Sequence, residues 1–254
     1  MFPGVRSARL LPAAGIAAAV TVLPGCAGTG TESPQLVVYA AASLSGVFEH
    51  IGDEFEAATG AHVVLNFAGS SDLLAQLEQG ASADVLATAD ERTMDAASEA
   101  GLLAGPPEIF ARNSLAVALA PGNPAGIHSL EDLAGDVLLV VCAAQVPCGN
   151  ATGLFAERAS LALSPVSEES SVSDVLAKVG SGEADAGIVY RTDLGRAAAG
   201  VEELEIPEAV NVTTSYPIAA LGTRTGSLGG EFIDFVLGPA GQRLLAEAGF
   251  EVLP

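Results

Sequence analysis

The sequence predicts an α/β fold of two lobes, each a mostly parallel sheet flanked by helices. Three observations carry that reading. Short, nearly continuous apolar runs rich in β-branched residues recur along the chain, as buried parallel strands do. Amphipathic segments separate them, and strands alternating with helices are the mark of α/β architecture. Two polar stretches, near residues 113 and 216, interrupt the pattern where a chain could cross between lobes.

The strands fall at 35–40, 62–67, 84–88, 115–118, 137–142 and 187–190. After the first, Leu44, Val47, Phe48, Ile51 and Phe55 share one face of a helix over 43–58. Leu73, Leu74 and Leu77 do the same over 70–78, and helices over 172–179 and 231–249 complete the pattern. The crossings are Ala111-Arg112-Asn113-Ser114 and Ser215-Tyr216-Pro217. They divide the chain into one lobe of 35–113 plus 217–254 and another of 114–216, with the last helix returning to the first lobe.

Half of the 254 residues are apolar, which marks a globular chain with a real core. The formal charge is −21, and Lys178 is the single lysine. Such a surface repels nucleic acid and anionic membranes. It also slows the approach of a small anion, so any anion site must work through local dipoles.

Residues 1–25 read as an export signal. Arg6 and Arg9 give a basic start, and the apolar run over 10–23 is too short to span a bilayer comfortably. Leu23-Pro24-Gly25-Cys26 resembles a bacterial lipobox, with Pro24 an imperfect match. It implies cleavage before Cys26, lipidation of that cysteine, and a flexible tether over 26–34. The protein is then expected on the extracytoplasmic face of the cell membrane, held by a lipid anchor. The plainer alternative is an ordinary signal peptide with a stray cysteine. Cleavage removes two arginines and no acid, so the mature chain is more negative still. Cys142 and Cys148 can pair in an exported protein, closing a short loop for about 2 kcal/mol, or stand as two free thiols. His50, His62 and His128 show no metal-ligand spacing with them.

Four helices begin with small polar or flexible residues directly after a strand or loop: at Ser43, at Ser70, at Pro147-Cys148-Gly149, and at Ser171-Val172. Each presents unsatisfied N–H groups and a positive dipole end where α/β proteins bind ligands. Helix starts with hydroxyls bind oxyanions without a charged side chain. Taken singly, a serine at a helix start is first of all an N-cap, and Ser171 with Asp174 resembles a capping box. Tyr190, ending its strand, is by default a core tyrosine seeking one partner.

These segments, in this order, resemble the periplasmic molybdate-binding proteins of ABC importers, over nearly the whole mature chain. Val38-Tyr39-Ala40-Ala41-Ala42-Ser43-Leu44 looks like that family's opening strand and loop, and Phe67-Ala68-Gly69-Ser70-Ser71 is similar to its second anion loop. Ser82-Ala83-Asp84-Val85 and Ala87-Thr88-Ala89-Asp90 match its next strand. Val146-Pro147-Cys148-Gly149 and Gly187-Ile188-Val189-Tyr190 resemble a third loop and its tyrosine strand.

The resemblance implies the two-lobed periplasmic-binding-protein fold with the ligand in the interlobe cleft. It implies a monomer that captures molybdate or tungstate for a membrane permease, catalyses nothing, and uses no cofactor. Carried over residue by residue, hydroxyl and amide donors come from Ser43 and Ser70, backbone amides from Cys148 and Val172, and the phenol from Tyr190. Cysteine stands at 148 where the family often has alanine. An amide donor there leaves the side chain free to bridge to Cys142.

Hydrogen bonds to a charged acceptor contribute roughly 1.5–3 kcal/mol each, so six or seven give about 10–20 kcal/mol gross. Association costs roughly 4–15 kcal/mol and a micromolar dissociation constant needs about −8 kcal/mol, so neutral donors can suffice. They favour a fully deprotonated ion over hydrogen phosphate, whose hydroxyl needs an acceptor. Three other readings stand beside this one. They are a receptor for sulfate or another oxyanion, a lipid-anchored hydrolase, and a sensor or adhesion module on the same fold. The hydrolase lacks a Gly-x-Ser-x-Gly elbow and any recognisable histidine arrangement.

Overall fold

A computed structural model describes residues 33–222 and 228–252. The export signal, Cys26 and the tether up to residue 32 lie outside the described residues. In chain order the elements are β1 (Gln35–Ala41), α1 (Ser45–Thr59), β2 (His62–Ala68), α2 (Ser70–Glu78), β3 (Val85–Ala87), α3 (Glu91–Glu99) and β4 (Glu108–Leu119). There follow β5 (Leu139–Cys142), α4 (Pro147–Ala159), β6 (Ser167–Glu169), α5 (Val172–Ser181), β7 (Ala186–Tyr190) and β8 (Glu202–Leu204). The last are β9 (Thr213–Ala220), α6 (Leu228–Leu237), α7 (Pro239–Glu247) and β10 (Glu251–Val252).

The strands hydrogen-bond in the order β2-β1-β3-β9-β4-β7-β5-β6, with β8 and β10 both paired to β4. The β1–β2, β1–β3, β5–β6 and β5–β7 pairs are parallel, as their unbroken apolar sequences predict. Every antiparallel pair involves β4 or β9. The first part of β4, Glu108 to Ser114, pairs with β9, and the second part, Leu115 to Leu119, pairs with β7. One strand thus pairs with β9 over its first part and with β7 over its second, the change falling between Ser114 and Leu115.

The sequence reading finds only the second part of β4. A register shift between Ile109 and Ala111 puts Phe110 and Ala111 both in the core, which erases the alternation expected of a strand. The helix expected over 231–249 is two helices. Pro239 opens α7, and a β-carbon on Gly241 would stand 2.5 Å from the carbonyls of Phe235 and Val236. The helix expected over 43–58 starts with a separate 3-10 turn, Ala42–Leu44.

A chain of aromatic rings runs through the main core. Phe235, Phe55, Phe232, Phe48, Phe110, Tyr216 and Tyr190 follow one another at centroid distances of 5.3 to 6.3 Å, mostly edge to face. Such pairs add about 0.5–1.5 kcal/mol each beyond the area they bury. The chain holds Tyr216 of β9 and Tyr190 of β7 rigidly, ring against ring, at one end of the strands. A smaller core of Tyr39, Leu73, Leu77, Leu86 and Met94 fixes α2 and α3 to the same sheet.

Candidate functional site

The ends of six strands meet at one small cavity. Ala41, Ala42 and Ser43 line it after β1, Gly69 and Ser70 after β2, and Ala89 after β3. Val146, Pro147 and Cys148 line it after β5, Ser171 and Val172 after β6, and Tyr190 at the end of β7. Ser43, Ser70, Cys148, Val172 and Tyr190, the five residues singled out in the sequence, are therefore brought together. Its volume of about 10 Å³ is near the room one water needs.

The two serines are not ordinary caps. Gly69 occupies the N-cap of α2, and the buried Ser70 Oγ accepts the amide N–H of Ala89 at 3.1 Å. That bond leaves the Ser70 hydroxyl hydrogen to be donated elsewhere. Ser43 lies inside the 3-10 turn, and its buried Oγ is 3.0 Å from the Tyr216 hydroxyl. Ser171 does cap its helix: its Oγ accepts the Asp174 amide and donates to the Asp174 carboxylate at 2.7 Å. Cys148 and Val172 stand in the first turns of α4 and α5, where amides lack a carbonyl one turn back.

Among the described residues, Tyr190 Oη, Thr214 Oγ1, Asp90 Oδ2 and Gln242 Oε1 are buried without a hydrogen-bond partner. The Tyr190 side chain is fully buried. Burial drives its pKa well above the ordinary tyrosine value, and burial does the same to Tyr216, so both phenols keep their protons as donors. An unpaired buried hydroxyl costs about 1–3 kcal/mol, and a ligand that accepts its hydrogen regains that energy.

A disulfide joins Cys142, at the end of β5, to Cys148, with 5.6 Å between their α-carbons. It pins the loop before α4 against the sheet. Gly149 adds to this, because a β-carbon there would stand 1.9 Å from the Ala143 carbonyl.

Charged groups flank the cavity without lining it, and sequence reasoning missed them. The Gln145 carbonyl accepts from Arg92 Nη2 at 2.6 Å and from Ser71 Oγ at 2.9 Å. Arg92 Nε also lies 3.6 Å from the largely buried Asp90 carboxylate. On another side Arg196 donates to Ser45 Oγ at 3.0 Å and to Ser173 Oγ at 3.1 Å, while pairing with Asp193 at 2.6 Å. Asp193 is wholly buried, and its Oδ2 accepts the Tyr190 amide. Burial raises its pKa, with Arg196 opposing the rise. These contacts span the polar loops at α1, α3, α4 and α5, and nothing in their spacing announces them. A wider groove of about 460 Å³ opens beside Ser43, lined by His50, Arg196, Glu247 and Phe250. Its one guanidinium is already engaged by Asp193 and the two serines.

A buried pocket of hydroxyls and helix-start amides at the strand ends is built for holding a small solute, and this defines the class: a solute-binding protein. The chain belongs to the family of bacterial extracellular solute-binding proteins, whose model matches residues 36–251. It is a binding protein of transport and not an enzyme. It is 46% identical over 227 residues to the molybdate-binding protein ModA of Mycobacterium tuberculosis (strain ATCC 25618 / H37Rv), covering 88% of this chain and 87% of that protein. Among solved structures it resembles the periplasmic molybdate-binding protein of Azotobacter vinelandii, with a TM-score of 0.75 at 22% identity, covering 86% and 99% of the two chains. The sulfate-binding protein SubI of Mycobacterium tuberculosis H37Rv gives a TM-score of 0.72 at 19% identity, with 87% of each chain covered. Those two likenesses establish the fold.

Proposed function

We propose that this chain captures molybdate or tungstate outside the cytoplasmic membrane and delivers it to an ABC permease. The observation that carries the reading is the buried Tyr190 hydroxyl, without a hydrogen-bond partner, on a residue that lines one cavity with Ser43, Ser70 and the first turns of α2, α4 and α5. Each group offers a hydrogen. A tetrahedral dianion has acceptors on every side and needs nothing else. The name of the 46%-identical relative supports the choice of molybdate.

In this reading the lobes are residues 35–113 plus 217–254, and 114–216. The ion enters when they part and is enclosed when they meet. Closure excludes water, so each dipole acts at lower dielectric and a neutral site holds a double charge inside an acidic protein. Ser43, Ser70, Cys148, Val172 and Tyr190 supply the contacts. Cys26 carries the lipid anchor, and the protein works as a monomer with no nucleic-acid partner.

The donor-only chemistry suits sulfate as well, so a sulfate receptor is the second reading. Thermal unfolding with each anion decides. A ligand at a hundred times its dissociation constant stabilises by about 2.7 kcal/mol. Molybdate and tungstate at micromolar concentration are expected to raise the Tm by several degrees, with sulfate and phosphate inert. A Tm raised by sulfate and not by molybdate would replace the first reading with the second.

A further inference from the structure

Ser43 can serve an oxyanion only if its hydrogen points at the ion, yet its Oγ is bonded to Tyr216 by a contact in which either oxygen could donate. The neighbouring residue resolves the direction. The Asn113 Oδ1 accepts the backbone N–H of Ser114 at 3.0 Å, and a backbone amide is always a donor. The amide is thereby oriented, so Nδ2 faces the other way. Its two hydrogens go to Thr192 Oγ1 at 2.8 Å and to the Tyr216 hydroxyl oxygen at 3.5 Å. Tyr216 is fully buried and can donate nothing to an NH₂ group. Among the described residues Ser43 Oγ, at 3.0 Å, is the acceptor in hydrogen-bond geometry for its single hydrogen, which would otherwise be buried unpaired.

We infer that Asn113 and Tyr216 form a directed relay, Asn113 Nδ2 to Tyr216 to Ser43, that commits the Ser43 hydroxyl to donate into the cavity. They are positioning residues for oxyanion selection, acting through Ser43, and the inference rests on the oxyanion reading above. The relay excludes the arrangement in which Ser43 spends its hydrogen on Tyr216 and turns lone pairs toward the ion. Ser70 is committed the same way by the Ala89 amide. The two serines then discriminate against ions that carry a proton.

Reversing the relay tests it. In Asn113→Asp the side chain accepts where it formerly donated. Tyr216 then donates to it, Ser43 donates to Tyr216, and a lone pair meets the ion. Calorimetric titration with molybdate is expected to show about a 30-fold loss of affinity in N113D and about a 5-fold loss in Y216F. The double variant N113D/Y216F, in which no reversal can pass through residue 216, is expected to recover to within about 3-fold of Y216F. If N113D/Y216F stays as weak as N113D, the new charge acts directly and the relay is wrong. A second cycle covers misfolding of N113D: Y216F is expected to lose its effect in a Ser43→Ala background, and an equal effect in both backgrounds overturns the relay. A wild-type protein that ignores molybdate, tungstate and sulfate alike refutes the oxyanion reading itself. A wild type that binds one of them, with an unrescued N113D, refutes only the relay.

Discussion

The carbonyl oxygen of Ser170 lies 2.1 Å from where a β-carbon on Gly69 would stand. The loop before α2 and the loop before α5 therefore touch backbone to backbone beside the cavity, and only glycine permits it. Gly69→Ala keeps a backbone conformation open to any residue, with φ of −57°, so the clash is the whole effect. The variant is expected to fold and melt within about 1–2 kcal/mol of wild type, while molybdate affinity falls at least tenfold because the loops cannot meet. Titration and ligand-free melting measure the two quantities separately.

Tyr190 separates a functional hydroxyl from a structural one. Its oxygen has no partner, so Tyr190→Phe removes a buried polar atom that nothing satisfies. The ligand-free variant is expected to be as stable as wild type or more so, by up to about 1–3 kcal/mol. Its affinity for the oxyanion is expected to drop by a similar energy, about 10- to 100-fold. Paired melting and titration curves check the opposed signs.

Ser70→Ala behaves differently. It removes a donor from the cavity and strips the Ala89 amide of its acceptor. Both affinity and ligand-free stability are expected to fall, each by about 1–3 kcal/mol.

The disulfide closes a loop of six residues' separation. Removing it as Cys142→Ala with Cys148→Ala is expected to cost about 2 kcal/mol by chain entropy. Affinity is expected to weaken less, since residue 148 lends an amide and not its sulfur. Denaturant unfolding and titration of the double variant measure both.

One acid-sensitive contact lies away from the cavity. Lys178 holds the Glu169 carboxyl below the ordinary glutamate value of 4.5, and Ser167 adds to the effect. A depressed folded-state pKa contributes stability above the unfolded value and loses it as pH falls through the folded value. Lys178→Met is expected to cost about 1 kcal/mol at neutral pH, allowing for the lysine's partial exposure, and to flatten the loss of stability below about pH 4.5. Melting temperatures across that range check it.

Much of this was legible in the sequence because it depends on local pattern. The parallel strands announce themselves by continuous apolar runs, and the helix starts by glycine and serine following a strand end. Ser43, Ser70, Cys148, Val172 and Tyr190 came from family resemblance added to those starts. What the sequence concealed is long-range. Tyr216 and Asn113 read as a crossing because a bulge hides the first part of β4. Arg92 and Arg196 look like solvated charges, yet they clasp loops 53 and 151 residues away in the chain. The serine hydroxyls look like caps until the Ala89 amide and Tyr216 are seen to occupy them.

The central claim is that the cavity offers only hydrogens. Calorimetric titration of the wild-type protein with molybdate and with hydrogen phosphate, at a mildly alkaline pH where phosphate is mainly its dianion, tests it most directly, since both are then dianions and one carries a proton. The account predicts a micromolar or tighter dissociation constant for molybdate and no measurable heat with hydrogen phosphate. Equal affinity for the two ions would contradict it, because it would require an acceptor in the cavity.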